Sequence, residues 1–321
     1  MRSMVALLAT VLVTLAASEA SAQSLCAGEI VTTTGSAVRL AGFRAEDLAA
    51  AVLAERPILI LGERHGVEAH PRAGACLLSL LGDVDKRLVV EMLGEGGQQA
   101  IATRREKYPE TASGLGVDLA WASSGWPEWR IYLPLFDAAW ISRSAVVAGD
   151  PPEEATRDGE RIAAARQALG PAADPAQRSW RAGLAEAMCG LASDEHLAAA
   201  AEAQMVRDAR MAERLGEAGA DVVPILYAGR AHARRDRSVP LHLLRTAERR
   251  QIVSVALWED HDADGPVDRA RVIAEAAGRF DAVWFVGTAD GTSLCRRLGR
   301  VATGGVASPP PPAASPPRGA P

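Results

Sequence analysis

Two strings of similar layout carry most of the side chains that could do chemistry. Residues 58–65 read Ile-Leu-Ile-Leu-Gly-Glu-Arg-His, and residues 222–232 read Val-Val-Pro-Ile-Leu-Tyr-Ala-Gly-Arg-Ala-His. Each string is an apolar run that predicts a strand, and each reaches a glycine that is followed by a histidine three residues later. If both strands belong to one parallel sheet, Glu63, His65 and His232 emerge along one edge, where α/β proteins bind their ligands.

Two further predicted strands end in acidic residues. Glu91 follows the apolar run 88–90, and Asp150 follows the run 145–148 and a glycine. A carboxylate inside an apolar run is costly to bury unless it is paired or binds a cation. A single side chain at a strand end could be an ordinary cap or turn contact, but four such strand ends together indicate a site. The glycines in these segments, which include Gly62 and Gly229, predict sharp turns out of the strands.

These residue types fit a metal-dependent hydrolase. His65, His232 and Glu63 could hold a divalent ion, which would lower the pKa of a bound water towards neutrality. Glu63 or Glu91 could then act as the catalytic general base. The sequence contains no G-x-S-x-G, P-loop, H-E-x-x-H or C-x-x-C-H motif, so several common enzyme and cofactor classes are excluded.

A helix predicted over residues 196–217 adds a buried acid. Asp208 lies near the middle of its apolar face, and Gln204 lies one turn earlier. An ionisable group in that position needs a partner, and a cation, an arginine or one of the two histidines above could serve. A purely structural salt bridge with one of the many arginines is the alternative.

An aromatic segment at residues 121–134 is the third signal. It holds three of the seven tryptophans and one of the three tyrosines in a chain with only 4% aromatic residues. Such a cluster could form a flat apolar wall for a planar ligand, with Trp126 in the wall and Tyr132 as an iron ligand. Alternatively, the tryptophans fix the start of a helix to the sheet.

The elements that position these residues alternate along the chain. Strands are predicted at residues 58–61, 87–91, 145–148, 222–228, 251–257 and 282–286. Helices predicted between them include residues 71–82, 96–107, 128–142 and 267–277. This alternation predicts an α/β fold with a mainly parallel sheet and flanking helices. The Ala-rich interval at about 153–218 predicts an α-helical insertion or subdomain.

The two ends are predicted to lie outside this domain, which would span residues 23–300. Residues 1–22 have the basic start, apolar run and Ala-Ser-Ala cleavage site of a signal peptide, so we expect a periplasmic or secreted protein. Cys26 lacks a good lipobox, which disfavours an outer-membrane lipoprotein. Residues 301–321 predict a Pro-rich disordered tail. The net charge of −5, with scattered acids, gives no indication of nucleic-acid binding.

Four cysteines remain after the predicted cleavage site: Cys26, Cys76, Cys189 and Cys295. An even number in an exported protein favours two disulfides, and three pairings are open. The preferred pairing is Cys26–Cys295, because it would tie the two ends of the domain together.

The same segments resemble the ChaN-like haem-binding family of the Tiki superfamily, from about residue 40 to residue 260. The resemblance is carried by Leu-Gly-Glu-Arg-His at 61–65 with His70, Val-Glu-Met at 90–92, Gly-Trp-Pro at 125–127, Tyr-Leu-Pro at 132–134, Ala-Gln at 203–204, Arg-Asp at 207–208, Met-Ala at 211–212, Ala-Gly-Arg-Ala-His-Ala-Arg at 228–234 and Val-Pro at 239–240. It implies an α/β fold with a helical subdomain, export, and a part in haem or iron uptake.

We therefore predict an exported protein that binds haem or iron. The residues predicted to contact the cofactor are Tyr132, His65, His232, Trp126, Gln204 and Asp208. Expected partners are haem or another small ligand, a second copy of the chain, and envelope iron-uptake components. Related branches look like metal-dependent proteases and erythromycin-esterase-like hydrolases, so a hydrolase with a divalent metal ion at His65, His232 and Glu63 remains the alternative.

Overall fold

A computed structural model describes residues 26–33, 44–245, 250–262 and 265–288 of the chain. The predicted signal peptide, the Pro-rich tail and Cys295 lie outside the described residues. The described strands are β1 (Glu29–Thr32), β2 (Ile58–Glu63), β3 (Lys86–Gly94), β4 (Ala145–Asp150), β5 (Val223–Gly229), β6 (Ile252–Trp258), β7 (His261–Asp262), β8 (Gly265–Pro266) and β9 (Ala282–Phe285).

Helices connect most of these strands. The described α-helices are α1 (Ala45–Glu55), α2 (Ala69–Leu80), α3 (Gln98–Lys107), α4 (Leu115–Asp118), α5 (Trp129–Ile141), α6 (Glu153–Thr156), α7 (Gly159–Leu169), α8 (Ala173–Ala187), α9 (Asp194–Gly216), α10 (Val239–Leu243) and α11 (Arg269–Ala276). Short 3-10 turns lie at Glu95–Gly97, Trp121–Ser123 and Gly170–Ala172.

The main sheet has seven strands in the order β1-β9-β6-β2-β5-β3-β4. All its described pairings are parallel except that of the edge strand β1, which runs antiparallel to β9. The predicted α/β fold with a mainly parallel sheet is therefore confirmed. The strand β1 and the small antiparallel pair β7–β8 were not predicted, because each is too short to show a pattern in the sequence.

Strand β2 lies at the centre of the sheet and is buried along its whole length. Its side chains alternate between two cores: Leu59 and Leu61 pack with the helices on one face, and Ile58 and Ile60 pack on the other. A continuous apolar run is what a strand needs when helices cover both faces of a parallel sheet. The sequence pattern therefore places β2 and its carboxyl end in the middle of the molecule.

Between β4 and β5 the chain forms helices α6 to α9 and no described strand. The N-cap of the long helix α9 is Ser193, whose side chain accepts a hydrogen bond from the His196 N–H. Asp208 is buried on the apolar face of this helix, as predicted. The buried residues of the helix are Leu197, Ala201, Met205, Val206, Asp208, Met211, Ala212 and Leu215. This helix carries an acidic side chain to the sheet edge.

The preferred disulfide is wrong. The structure joins Cys26 to Cys76, at a sequence separation of 50, and Cys189 is also disulfide-bonded. Cys26 lies just before β1, and Cys76 is buried in α2, so the bond ties the edge strand to a helix of the core rather than joining the two ends of the domain.

Within the described residues, no helix combines the length and the apolar character needed to cross a lipid bilayer.

Candidate functional site

The strand register brings the two glycine-histidine segments side by side. Glu63 at the end of β2 pairs with Gly229 at the end of β5, and β5 pairs on its other side with β3, which carries Glu91. The Arg230 N–H also donates to the Glu63 carbonyl at 2.7 Å. The carboxyl ends of three adjacent parallel strands thus converge, as the sequence predicts.

Glu63 is the centre of the first group of side chains. Its Oε1 accepts hydrogen bonds from the Tyr132 hydroxyl at 3.0 Å and lies 2.7 Å from His65 Nδ1. Its Oε2 accepts from the Tyr227 hydroxyl at 2.9 Å. Both tyrosines are fully buried, so this carboxylate satisfies two hydroxyl groups that have no access to water.

His65 is the accessible member of this group. Its side chain is 33% exposed, and its ring meets the Trp126 ring edge-on with 5.0 Å between centroids. Its Nε2 lies 3.8 Å from Glu91 Oε2, which is too long for a hydrogen bond. Burial lowers the pKa of His65, but the hydrogen bond to Glu63 and the charges of Glu91 and Glu63 outweigh it, so the pKa is raised.

A second group of buried side chains lies next to the first. His232 Nδ1 is 2.7 Å from Asp208 Oδ1, and His232 Nε2 is 3.2 Å from Glu91 Oε1. The Gly229 N–H donates to Glu91 Oε2 at 2.6 Å, and Trp180 Nε1 donates to Asp208 Oδ2 at 3.0 Å. An imidazolium is therefore held between two buried carboxylates, each of which has a further hydrogen-bond donor.

The charges of this second group stabilise one another. Burial alone would lower the pKa of His232, but Glu91 and Asp208 raise it to about 10. Burial alone would raise the pKa of Glu91, but His232, His65 and the Gly229 N–H lower it to about 2. The pKa of Asp208 is raised, mainly by burial, although His232 opposes the shift. At neutral pH His232 is therefore charged.

These shifts predict a stability maximum in mild acid. The pKa of His232 is about 10 in the folded protein against an ordinary 6.5, so its contribution is complete below pH 6.5 and is lost as the pH rises through 10. The pKa of Glu91 is about 2 against an ordinary 4.5, so its contribution is complete above pH 4.5 and is lost as the pH falls through 2. Urea unfolding across this range should show the largest difference between wild type and His232→Ala between pH 4.5 and 6.5. A pH-independent difference would contradict the assignment.

Gly62 and Gly229 are needed because a side chain would not fit at either position, and not because the backbone adopts a conformation that only glycine favours. Neither Gly62 nor Gly229 has a positive φ. A Cβ on Gly62 would lie 2.7 Å from the Ala233 Cβ and 3.0 Å from the Arg230 Cα, and a Cβ on Gly229 would lie 2.9 Å from His65 Nε2. The expected sharp turns at these glycines are therefore wrong, and close approach between the two segments explains them.

Two other predicted site residues, the acid Asp150 and the amide Gln204, lie outside the two groups described above. Asp150 lies at the end of β4 and binds Arg207 Nε at 2.8 Å, so it is paired outside the His232 group. Burial raises the pKa of Asp150 despite Arg207. Gln204 is half-buried, and its Oε1 has no hydrogen-bond partner. Among the described residues, no hydrogen bond joins Gln204 to His65 or His232, and its role in cofactor binding stays a prediction.

The structure places the tryptophans of the aromatic segment in two different environments. Trp121 is buried, its Nε1 donates to the Pro127 carbonyl at 2.7 Å, and its ring packs on Trp129 and Tyr132. It therefore fixes the start of α5 to the core. Trp126 is only partly buried and meets His65, so it forms a wall beside the site.

The donors do not form a metal centre. Among the described residues, no group of three or more His, Cys, Asp or Glu side chains is arranged to hold a metal ion. Both nitrogens of His232 face carboxylates, and both oxygens of Glu63 accept hydrogen bonds. In the predicted set of His65, His232 and Glu63, two of the three members are thus already engaged by other side chains.

Sequence reasoning missed several partners of this site. Tyr227 lies inside a predicted strand and Trp180 inside a helical segment, so nothing in the sequence distinguished them from core residues. Glu259 was also missed, although it directly follows the buried strand β6 as Glu91 follows an apolar run. That shared pattern could have revealed it.

Comparison with known proteins agrees with this architecture. The family described as "Haem-binding uptake, Tiki superfamily, ChaN" matches residues 49–243. The chain is similar to the solved structure "Cofacial heme binding to ChaN of Campylobacter jejuni", with 19% identity and a TM-score of 0.58 over 81% of this chain and 96% of that chain. At this identity the likeness shows the fold alone. No curated protein matches the chain.

Proposed function

Since this chain belongs to the ChaN family of haem-binding uptake proteins in the Tiki superfamily, we propose that it binds haem in the aromatic groove beside His65. The groove has a volume of about 790 Å³ and is lined mainly by apolar surface from Val117, Ala120, Trp121, Trp126 and Trp129. This volume lies within the usual range for small-molecule and cofactor sites, about 300–1,000 Å³. A flat apolar ring fits such a wall better than a peptide or a sugar.

The contact between His65 and Trp126 carries the proposal. It puts a nitrogen ligand for iron next to an aromatic wall. The Glu63 carboxylate lies 2.7 Å from the Nδ1 of this histidine, and Nε2, on the other side of the ring, lies 3.8 Å from Glu91 Oε2 and makes no hydrogen bond to it. Iron-binding histidines commonly donate their other N–H to a carboxylate, which fixes the ring and increases its basicity. When bound, the iron would supply the ligand-binding chemistry of the haem, and the chain would hold and orient it.

Tyr132 is the less suitable axial ligand. Its hydroxyl is fully buried and donates to Glu63. Burial and the neighbouring carboxylate raise the pKa of Tyr132, whereas a tyrosine that binds ferric iron does so as phenolate. Deprotonating it here would place a second negative charge beside Glu63. His65 needs no such change, so we assign it as the axial ligand.

We further propose that the protein is exported and takes part in haem or iron uptake. The signal-peptide pattern of residues 1–22 supports export, and the description of the family supports uptake. A second copy of the chain and envelope iron-uptake components remain the expected partners. The hydrolase alternative has less support, because the donor atoms of His232 and Glu63 are already engaged.

Haem titration followed by absorption spectroscopy tests the proposal. The wild-type protein should shift the Soret band and saturate at one haem per chain with a Kd in the micromolar range or tighter, about −8 kcal/mol. Trp126→Ala should weaken binding at least about tenfold, because burying an apolar ring contributes about 1.5 kcal/mol or more. Tyr108→Ala removes another exposed aromatic ring outside the groove and should leave the Kd unchanged. A spectrum that stays that of free haem throughout the titration would refute haem binding.

A further inference from the structure

A third polar group lies at the same sheet edge, one strand away from the His65 group. Glu259 follows β6, Arg64 follows β2, and Arg230 follows β5, while His70 reaches the group from the first turn of α2. Glu259 is only 3% exposed, and His70 is fully buried. These four side chains belong neither to the haem groove nor to the His232 group.

The four side chains surround a gap that none of them fills. Glu259 Oε1 lies 3.8 Å from Arg64 Nη1, 3.8 Å from His70 Nε2 and 3.7 Å from Arg230 Nη2. All three distances are too long for hydrogen bonds. Glu259 Oε1, His70 Nε2 and Arg230 Nη1 are buried without any hydrogen-bond partner among the described residues. Buried polar atoms of this kind are normally satisfied by protein, water or ligand atoms, so the group has unused hydrogen-bonding capacity.

Three of the four side chains, Arg64, Arg230 and Glu259, line a cavity of about 370 Å³, and His70 lies behind them. Trp258, Val267 and Val272 supply its apolar surface, and the Arg230 guanidinium stacks on the Trp258 ring at 4.0 Å. Asp262, Asp268 and Glu275 lie towards α11 together with Arg271, so the formal charge of that side is negative. The cavity therefore combines a cationic interior, an apolar wall and an acidic side.

Hydrogen-bond roles inside the cavity follow from His70. Its Nδ1 accepts the Arg64 N–H at 3.0 Å. Burial and the charge of Arg230 lower the pKa of His70 well below its ordinary value, so the ring is neutral and Nε2 carries its proton. Two guanidinium groups and one imidazole N–H thus face a single carboxylate oxygen. Such an interior can accept an anionic group and, at Glu259, a hydrogen-bond donor beside it.

We propose that this cavity binds a free α-amino acid with an apolar side chain. Arg64 and Arg230 would bind its carboxylate, since guanidinium groups match carboxylate geometry. Glu259 would accept from the ammonium group, which in an α-amino acid is next to the carboxylate. The acidic side at Asp262 and Asp268 adds attraction for this positive charge, and Trp258, Val267 and Val272 would cover the side chain.

Calorimetric titration of the full-length mature protein with L-leucine tests this site. Binding should saturate with a Kd of about 1 mM or tighter, or roughly −4 kcal/mol. Two analogues separate the parts of the ligand: 4-methylpentanoate lacks the ammonium group, and isoamylamine lacks the carboxylate. Both should bind at least about tenfold more weakly, because each leaves a buried charge unpaired.

Variants then locate the binding site. Arg64→Gln and Glu259→Gln should each weaken L-leucine binding about tenfold or more. Arg64 is 38% exposed, so this variant should fold even if Glu259→Gln does not. Arg157→Gln, which changes an exposed arginine just after α6, is the matched control and should bind as wild type. Trp126→Ala should also bind L-leucine normally, because the two cavities share no lining residue.

Three outcomes would overturn the proposal. The first is no saturable heat with L-leucine or L-phenylalanine, which would assign the gap to water. The second is equal affinity for 4-methylpentanoate, which would show that only an anion is recognised. The third is unchanged binding in Arg64→Gln, which would place the ligand elsewhere.

Discussion

The substitution His232→Ala is expected to lower the free energy of unfolding by about 3–5 kcal/mol at neutral pH. The imidazolium lies between Asp208 at 2.7 Å and Glu91 at 3.2 Å, and both carboxylates are buried. Removing it leaves two negative charges in the core, and the remaining hydrogen-bond donors to them among the described residues are the Gly229 N–H and Trp180 Nε1. Breaking a buried ion pair by deleting one partner costs far more than losing an exposed one.

Urea unfolding followed by circular dichroism measures this effect. His65→Ala is the matched control, because it removes a histidine that also faces Glu91 but is 33% exposed and lies 3.8 Å away. It should cost clearly less. Combining His232→Ala with Asp208→Asn should recover part of the loss, because only one buried charge then remains unpaired. If His232→Ala and His65→Ala lose equal stability, His232 is not the charged centre of the core.

The sheet and its edge could be predicted because their pattern is local. Each central strand is an apolar run of strand length, and parallel strands of one sheet must share an edge. Knowing that Glu63, His65, Glu91 and His232 follow such runs was enough to bring them together. The register that sets Glu63 beside Gly229 then fixes their distances.

The remaining contacts depend on pairings between distant segments that no local pattern encodes. Cys26 and Cys76 are joined across distant segments, and β1, which follows Cys26, is a strand of four residues whose partner follows more than two hundred residues later. The glycine spacing was visible, but its cause was not. Gly62 is needed because Ala233 and Arg230 lie close to it, and this contact exists only in the folded protein. The conformational freedom of glycine, by contrast, can be read from the residue type alone.

For Asp208, the sequence pattern predicts that the residue is buried and needs a partner, but it does not identify the partner. Its position on the apolar face of α9 predicts that it needs a partner, and one of the two histidines was among the candidates. The sequence could not show that the partner of Asp208 is His232 rather than an arginine. The contact depends on how α9 packs against the segment after β5. Trp180, the second donor to this carboxylate, comes from α8 and was hidden for the same reason.

His65→Ala should abolish the Soret shift of the wild-type protein and leave only weak, non-specific haem adsorption. This follows because His65 is the member of the site that is partly exposed, contacts the aromatic wall and keeps its Nε2 free of hydrogen bonds. Imidazole added to His65→Ala should restore part of the shifted spectrum, since it supplies the same ligand from solution. If His65→Ala gives the wild-type spectrum, another side chain binds the iron.

Glu63→Gln tests how the Glu63 carboxylate contributes to iron binding by His65. It keeps the size of the side chain but removes the charge that raises the pKa of His65, so the imidazole becomes a weaker base. Loss of such a partner of a metal-binding histidine typically weakens affinity about 10–100-fold, and the Soret shift should survive at higher haem concentration. The proton competes with iron for His65, so wild-type affinity should fall in acid, and in Glu63→Gln this fall should begin at lower pH.

Tyr132→Phe distinguishes the two candidate axial ligands in the same titration. If His65 binds the iron, this variant removes one hydrogen bond to Glu63 and should cost about 1 kcal/mol of stability with the Soret position unchanged. If Tyr132 binds the iron, the variant should lose the shift and His65→Ala should keep it. The buried hydroxyl, its hydrogen bond to Glu63 and its raised pKa favour the first result, because the proton would have to leave before the oxygen could bind iron.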